Sequence, residues 1–186
     1  MLSYNQIINK IDQLEEANIL LSALELRVFS ILEKQSMSAK QVANDIKVKL
    51  EGAEVLLNAL TAMGVLTKNT NGYKNTHVAY KYFCESSPDF KKGTVMLKMD
   101  GRGEYESPLH TIKHGRNLKQ CEGEDDPIFR KLFTLAMHER SEKYAAKLAK
   151  AVTQKKVGKL IDLGCGPGSY SAAILKKDKT ATATLL

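Results

Sequence analysis

Apolar positions recur at helical spacing almost from the start of the chain. Ile7, Ile8, Ile11 and Leu14 fall at such intervals and predict a first helix. The stretch 17–32 is denser, with Ile19, Leu20, Leu21, Ala23, Leu24, Leu26, Val28, Phe29, Ile31 and Leu32. These cover much of a helix circumference, so the segment is expected to be buried on several sides. Ser38, with Gln41 three positions on, predicts a capped helix over 39–45. A helix from about 51 to 63 follows from Val55, Leu56, Ala59, Leu60 and Met63, and Gly64 stands where a left-handed terminator is wanted. Val65-Leu66-Thr67, the turn 68–72 with its Asn-Gly step, and Tyr73 onward read as a hairpin. Three helices and a hairpin in that order form a winged-helix arrangement.

Residues 76–126 read as short helices separated by breaks at Ser86-Ser87-Pro88, Gly101-Arg102-Gly103 and the acidic loop 122–127. A helix beginning at Pro127 carries Ile128, Phe129, Leu132, Phe133 and Met137, and a further amphipathic helix runs through Tyr144, Ala145, Leu148 and Val152. After Lys156 the pattern changes. A strand-length apolar run, 157–163, leads into Gly164-Cys165-Gly166-Pro167-Gly168, then a helix from Ser169 and a second strand over 180–186. Strand, loop, helix and strand open a parallel α/β domain. Two strands and one helix cannot cover both faces of such a sheet, so this segment is expected to be the beginning of a larger domain. The organisation predicted is 1–100, a mainly α winged-helix unit; 101–156, connecting helices forming part of a cleft; and 157–186, an incomplete α/β unit.

Composition narrows the class without assigning a function. The chain has 186 residues and a net charge of +7. Residues 1–70 are nearly balanced, and the positive excess falls in 71–186, mostly as lysines such as Lys143, Lys147, Lys150, Lys155, Lys156 and Lys159. Lysines dispersed along helix faces and linkers read as a solvated surface. No apolar run has the length of a membrane span and no secretory leader pattern is present. Cys84, Cys121 and Cys165 are too few and too scattered for a disulfide framework. A soluble cytoplasmic protein is expected.

The sharpest chemical signal is Asp162-Leu163-Gly164-Cys165-Gly166-Pro167-Gly168. Alternate glycines let the backbone turn sharply and approach a ligand, and the following helix offers unpaired amides at its positive end. A dinucleotide loop would need glycine at 169, where Ser169 stands, and the Gly-Lys-Ser/Thr ending of a phosphate loop is absent.

Together with Leu160 and Ile161, this strand and loop resemble those of the S-adenosylmethionine-dependent methyltransferases. The resemblance implies that Gly164, Gly166 and Gly168 shape the bed under the methionine part of the cofactor, with Cys165 as a small residue among them. It implies that Asp162 helps to orient the cofactor's ammonium group. Residues 19–32 and 56–66 look like the N-terminal dimerisation domain of plant-type and acetylserotonin-type O-methyltransferases, which implies a homodimer through 1–35. The helix with Phe129, Phe133, Met137 and Ser141 is similar to the one that faces cofactor and acceptor in that family, although the aromatic spacing reads equally as a core stripe. The implied reaction is methyl transfer to a hydroxyl of a small molecule. The family's ribose-binding acid and catalytic histidine fall beyond Leu186, so none of His77, His110, His114 and His138 takes the catalytic role. Weak cofactor binding and a poor catalyst are expected of these 186 residues alone.

Other signals are weaker. His110, His114 and Cys121 lack the spacing of a metal site, and none is expected. The alternative reading is a winged-helix DNA-binding regulator. Its recognition helix would be 51–63, which holds Glu51 and Glu54, no Lys or Arg, and Asn58 as its one amide. Lys47 and Lys49 ahead of it suit phosphate rather than base edges. No nucleic-acid or membrane partner is expected.

Overall fold

The computed structural model describes residues 2–100, 112 and 127–186. The chain forms two compact units, Met1–Lys91 and Lys92–Leu186.

In the first unit, α1 (Tyr4–Glu25) starts at a capping box: the Ser3 hydroxyl accepts from the Gln6 amide, and the Gln6 side chain accepts from the Ser3 amide. The dense apolar segment is not one helix. Arg27 adopts a left-handed conformation (φ 57°) that breaks the chain between α1 and α2 (Val28–Leu32). Its guanidinium holds the Glu85 carboxylate through two bonds, 2.9 Å from Nε and 2.5 Å from Nη2. The α3 helix (Ala39–Asp45) has the expected Ser38–Gln41 box. In α4 (Leu50–Ala62), the Gly64 amide bonds the Thr61 carbonyl and the Val65 amide that of Leu60, closing the helix over a left-handed Gly64 (φ 72°).

The hairpin pairs β1 (Leu66–Asn69) with β2 (Gly72–Asn75), Leu66 opposite Asn75 and Asn69 opposite Gly72. Its tip is Thr70-Asn71 rather than Asn-Gly. Gly72 lies inside the strand at φ 119°, where a side chain would run into the Met37 carbonyl. Met37 and Tyr73 exchange two backbone bonds at this point (2.8 and 3.0 Å), so the Met37 segment joins the hairpin edge. The core includes Ala23, Val28, Phe29, Leu32, Met37, Val42, Leu57, Leu60, Leu66, Tyr73 and Ala79. The Asn75 amide nitrogen donates to the Phe29 and Glu33 carbonyls, both at 2.8 Å, and so ties β2 to the end of α2. Thr76 caps α5 (His77–Phe83).

In the second unit, α6 (Lys92–Asp100) packs on α7 (Pro127–Val152), a single helix where the sequence suggested two. The Glu139 carboxylate accepts from the Gly93 amide (2.8 Å), the Thr94 amide (2.7 Å) and the Thr94 hydroxyl (2.5 Å), serving the start of α6. The buried positions of α7 are small: Ala136, Ser141, Ala145 and Ala149, which lets neighbouring backbones come close. Next follow β3 (Lys159–Asp162), α8 (Ser169–Lys177) and β4 (Thr182–Leu185). The strands pair in parallel, Lys159 opposite Thr182 and Asp162 opposite Leu185, with α8 as the crossover. This is the α/β opening expected from the sequence. Among the described residues no helix is long and apolar enough to cross a membrane.

Candidate functional site

The end of β3 and the start of α8 are joined by the glycine loop. Gly164, Gly166 and Gly168 all have positive φ (68°, 51° and 68°). Around Gly164 and Gly166 there is open space for a side chain, so backbone conformation, not crowding, selects glycine there. Gly168 is buried, and a side chain there would meet Leu185 Cδ1 at 3.4 Å. The Gly164 and Cys165 amides donate to the Leu186 carbonyl (2.8 and 3.2 Å), and the Leu186 amide donates to that of Asp162 (3.0 Å). The Gly168 amide closes a turn on the Cys165 carbonyl at 2.9 Å. These bonds tie the loop to the end of β4.

Gly168 is the N-cap of α8 and supplies no side-chain acceptor. The first intrahelical bond is Ala172 N–H to the Gly168 carbonyl, so the amides of Ser169, Tyr170 and Ser171 have no partner within the helix. Such a helix start suits an electronegative ligand group. Half-buried Asp162 ends β3, and its Oδ2 accepts from the Ser171 hydroxyl at 2.5 Å; the other carboxylate oxygen has no protein partner among the described residues. Ser169 Oγ lies 2.7 Å from His138 Nδ1, joining the start of α8 to α7. The sequence reading assigned none of Ser169, Ser171 and His138 to the site. Only the capping tendency of serine at a helix start hinted at the first two. Cys165 is half-buried, its thiol directed to the Gly166 carbonyl at 3.6 Å.

On α7, Phe129 and Phe133 stack with centroids 6.0 Å apart and are 43% and 45% exposed. They therefore do not form the core stripe that their spacing allowed. Met137 is half-buried, and buried Ser141 spends its hydroxyl on the His138 carbonyl at 2.7 Å. The α7 helix meets α8, and the His138–Ser169 contact sets this turn of α7 beside the start of α8.

A separate open cleft of about 640 Å³ lies at the other end of the strands, lined by Thr153, Gln154, Lys155, Lys156, Lys177, Asp178 and Lys179. Asp178 is held below the usual carboxylate range, first by the Val157 amide (3.0 Å) and then by the Thr180 hydroxyl and amide. Its charge thus staples a turn, and the lysines around it complement helix C-termini. Ligands of parallel sheets bind at the opposite edge, where the glycine loop is.

Among the described residues no His, Cys, Asp and Glu cluster could hold a metal, while His110, His114 and Cys121 lie outside those residues. Asn58 on α4 accepts from Lys68 Nζ (3.1 Å) and the Tyr73 hydroxyl (2.9 Å). Its amide oxygen is therefore turned onto the hairpin, which occupies the acceptor of the one amide side chain on α4.

Residues 11–84 match the family described as the O-methyltransferase dimerisation domain. Over 178 residues the chain is 25% identical to the 3-hydroxy-5-methyl-1-naphthoate 3-O-methyltransferase of Streptomyces sahachiroi, covering 90% of this chain and 50% of that protein. An O-methyltransferase family protein from Burkholderia thailandensis overlays all of the chain with a TM-score of 0.86 at 22% identity, over 56% of its own length. Human N-acetylserotonin methyltransferase, solved in complex with SAM, overlays 98% of the chain with a TM-score of 0.72 at 21% identity, over 58% of its own length. The chain thus spans about half the length of these relatives. Within its first unit, residues 11–84 are similar to the O-methyltransferase dimerisation domain, and the chain has the fold of the corresponding half of these structures.

Proposed function

We propose that the glycine loop binds S-adenosylmethionine and that the protein serves methyl transfer from it to a hydroxyl of a small molecule. The observation that carries this reading is the pairing of three left-handed glycines with an uncapped helix start at the carboxyl end of a parallel strand. The residues fit such a ligand. Space for a side chain at Gly164 and Gly166 is open, the first three α8 amides have no acceptor within their helix, and one Asp162 oxygen has no partner among the described residues. In this reading Gly164, Cys165, Gly166 and Gly168 form the bed for the methionine part, and Asp162 orients its ammonium group. Phe129, Phe133, Met137 and Ser141 line the cleft on the α7 side. When bound, the cofactor supplies an electrophilic methyl on a sulfonium. The protein's task is to align the acceptor oxygen with it and exclude water. The relatives' names support hydroxyl acceptors. The dimerisation-domain match supports a homodimer through residues 1–35.

Titration with S-adenosylhomocysteine, followed by amide NMR, tests the reading. The amides of residues 164–171 should shift saturably, Gly166 and Tyr170 among them. Shifts scattered elsewhere, or none at millimolar ligand, overturn it.

A further inference from the structure

The positive excess that the sequence spreads along its later part is gathered at one place by the fold. Lys155 and Lys156 follow α7, while Lys177 and Lys179 stand at the end of α8, beyond β3 and the glycine loop. The two pairs line the same open cleft of about 640 Å³. Asp178 brings them together: its Oδ2 accepts from the Val157 amide at 3.0 Å and so clasps the two segments.

That clasp leaves the lysines without an anion. Asp178 Oδ1 is taken by the Thr180 amide (3.0 Å) and hydroxyl (2.8 Å), so the carboxylate spends itself on its own turn. Among the described residues none of the four ammoniums has an ion-pair or hydrogen-bond partner. Helix C-termini attract cations, but chain donors already occupy part of both ends. The Ala149 carbonyl takes the Thr153 amide (3.0 Å) and hydroxyl (2.7 Å), and the Ile174 carbonyl takes the Asp178 amide (2.9 Å). The two helix ends supply about one negative charge between them and Asp178 one more, which leaves about two positive charges over the cleft. Like charges around one concavity repel, and a bound anion relieves that repulsion.

The lining also selects the kind of anion. It holds no aromatic and no aliphatic residue, only Thr153, Gln154 and charged side chains. Nothing there would stack on a nucleobase or receive a lipid chain. The volume falls in the range of small-molecule sites and is larger than a single phosphate needs. Lysines serve phosphate groups as point charges on flexible stems. We propose that this cleft binds a small polar molecule carrying more than one phosphate. The site is built from helix ends rather than strand ends, lies at the edge of the sheet away from the glycine loop, and does not rest on the cofactor reading.

Amide NMR of the full chain, titrated with inorganic pyrophosphate at about 0.15 M salt, tests this. Shifts should saturate at residues 153–157 and 177–180, while Gly166 and Tyr170 stay in place. Sulfate, with its charge on one centre, should bind about tenfold more weakly or worse. Lys156→Gln/Lys177→Gln changes only exposed positions, so thermal unfolding without ligand should stay native while pyrophosphate affinity falls on the order of tenfold. Lys155→Gln/Lys179→Gln should give a similar loss. Lys40→Gln/Lys74→Gln removes the same charge from exposed positions of the first unit and should leave affinity unchanged. Sulfate matching pyrophosphate, or equal losses in the cleft and first-unit variants, overturns the site in favour of unspecific charge attraction. Shifts that do not saturate, or that fall at lysines throughout the chain, overturn it as well.

Discussion

Ser171 and Asp162 lie nine residues apart, across the whole glycine loop, and are joined by a hydrogen bond of 2.5 Å. The serine is 2% exposed, so its hydroxyl has no water to fall back on. One bond thus fixes the acid at the end of β3 to the first turn of α8. Ser171→Ala should cost about 1.5 to 3 kcal/mol in denaturant unfolding, the range for a hydrogen bond to a charged group. It should also weaken S-adenosylhomocysteine binding more than stability, because Asp162 is freed to turn away. Equal binding by Ser171→Ala and wild type would show that this bond does not position the acid.

Gly166→Ala should cost about 1 kcal/mol through its positive φ alone, since nothing stands where the new methyl would go. Gly168→Ala carries the same strain and adds only an ordinary contact with the Leu185 side chain, so it should cost about as much. Thermal unfolding of the two variants side by side checks the match.

Gly93→Ala tests the α6–α7 contact. A Cβ at Gly93 would fall 2.5 Å from the Ala136 amide nitrogen and 2.6 Å from the Leu135 carbonyl carbon, both backbone atoms that cannot swing aside. A loss of about 1 to 3 kcal/mol is expected. Hydrogen exchange should quicken in α6 and in the middle of α7, and leave the hairpin unchanged.

The Asp178 carboxyl titrates below its ordinary value because the Val157 and Thr180 donors favour its ionised form. A depressed acid contributes stability that is present above the ordinary carboxylate range and lost as pH falls through the folded-state value. Unfolding of wild type and Asp178→Asn across acidic pH should therefore show curves that separate near neutrality and converge in acid. Parallel curves would deny the carboxylate this role.

Much of this architecture is legible in the sequence because its punctuation is local. Ser38 with Gln41 and the terminator Gly64 act within one helical turn, and the glycine loop announces itself by residue type. The break at Arg27 leaves no such mark, since arginine has no preference for a left-handed conformation; the partner holding it, Glu85, is far along the chain. The hairpin tip was misplaced because Gly72 suits a turn, whereas its actual constraint is the Met37 backbone against the strand. The α7 helix reads as two because its buried stripe is alanine and serine, which carry little apolar signal. The acid of the site was visible, but the serine that holds it was not, for no spacing rule relates a strand end to a residue beyond a loop.

Adjacent residues of α7 reach in two directions: His138 to Ser169 at the head of α8, and Glu139 to Gly93 and Thr94 at the head of α6. Two helix beginnings are thereby pinned to one turn of a third helix. A small slide or roll of α7 would strain both pins together. The glycine loop therefore inherits its placement from a rod with a second anchorage, and whatever loosens α6 is felt at the loop.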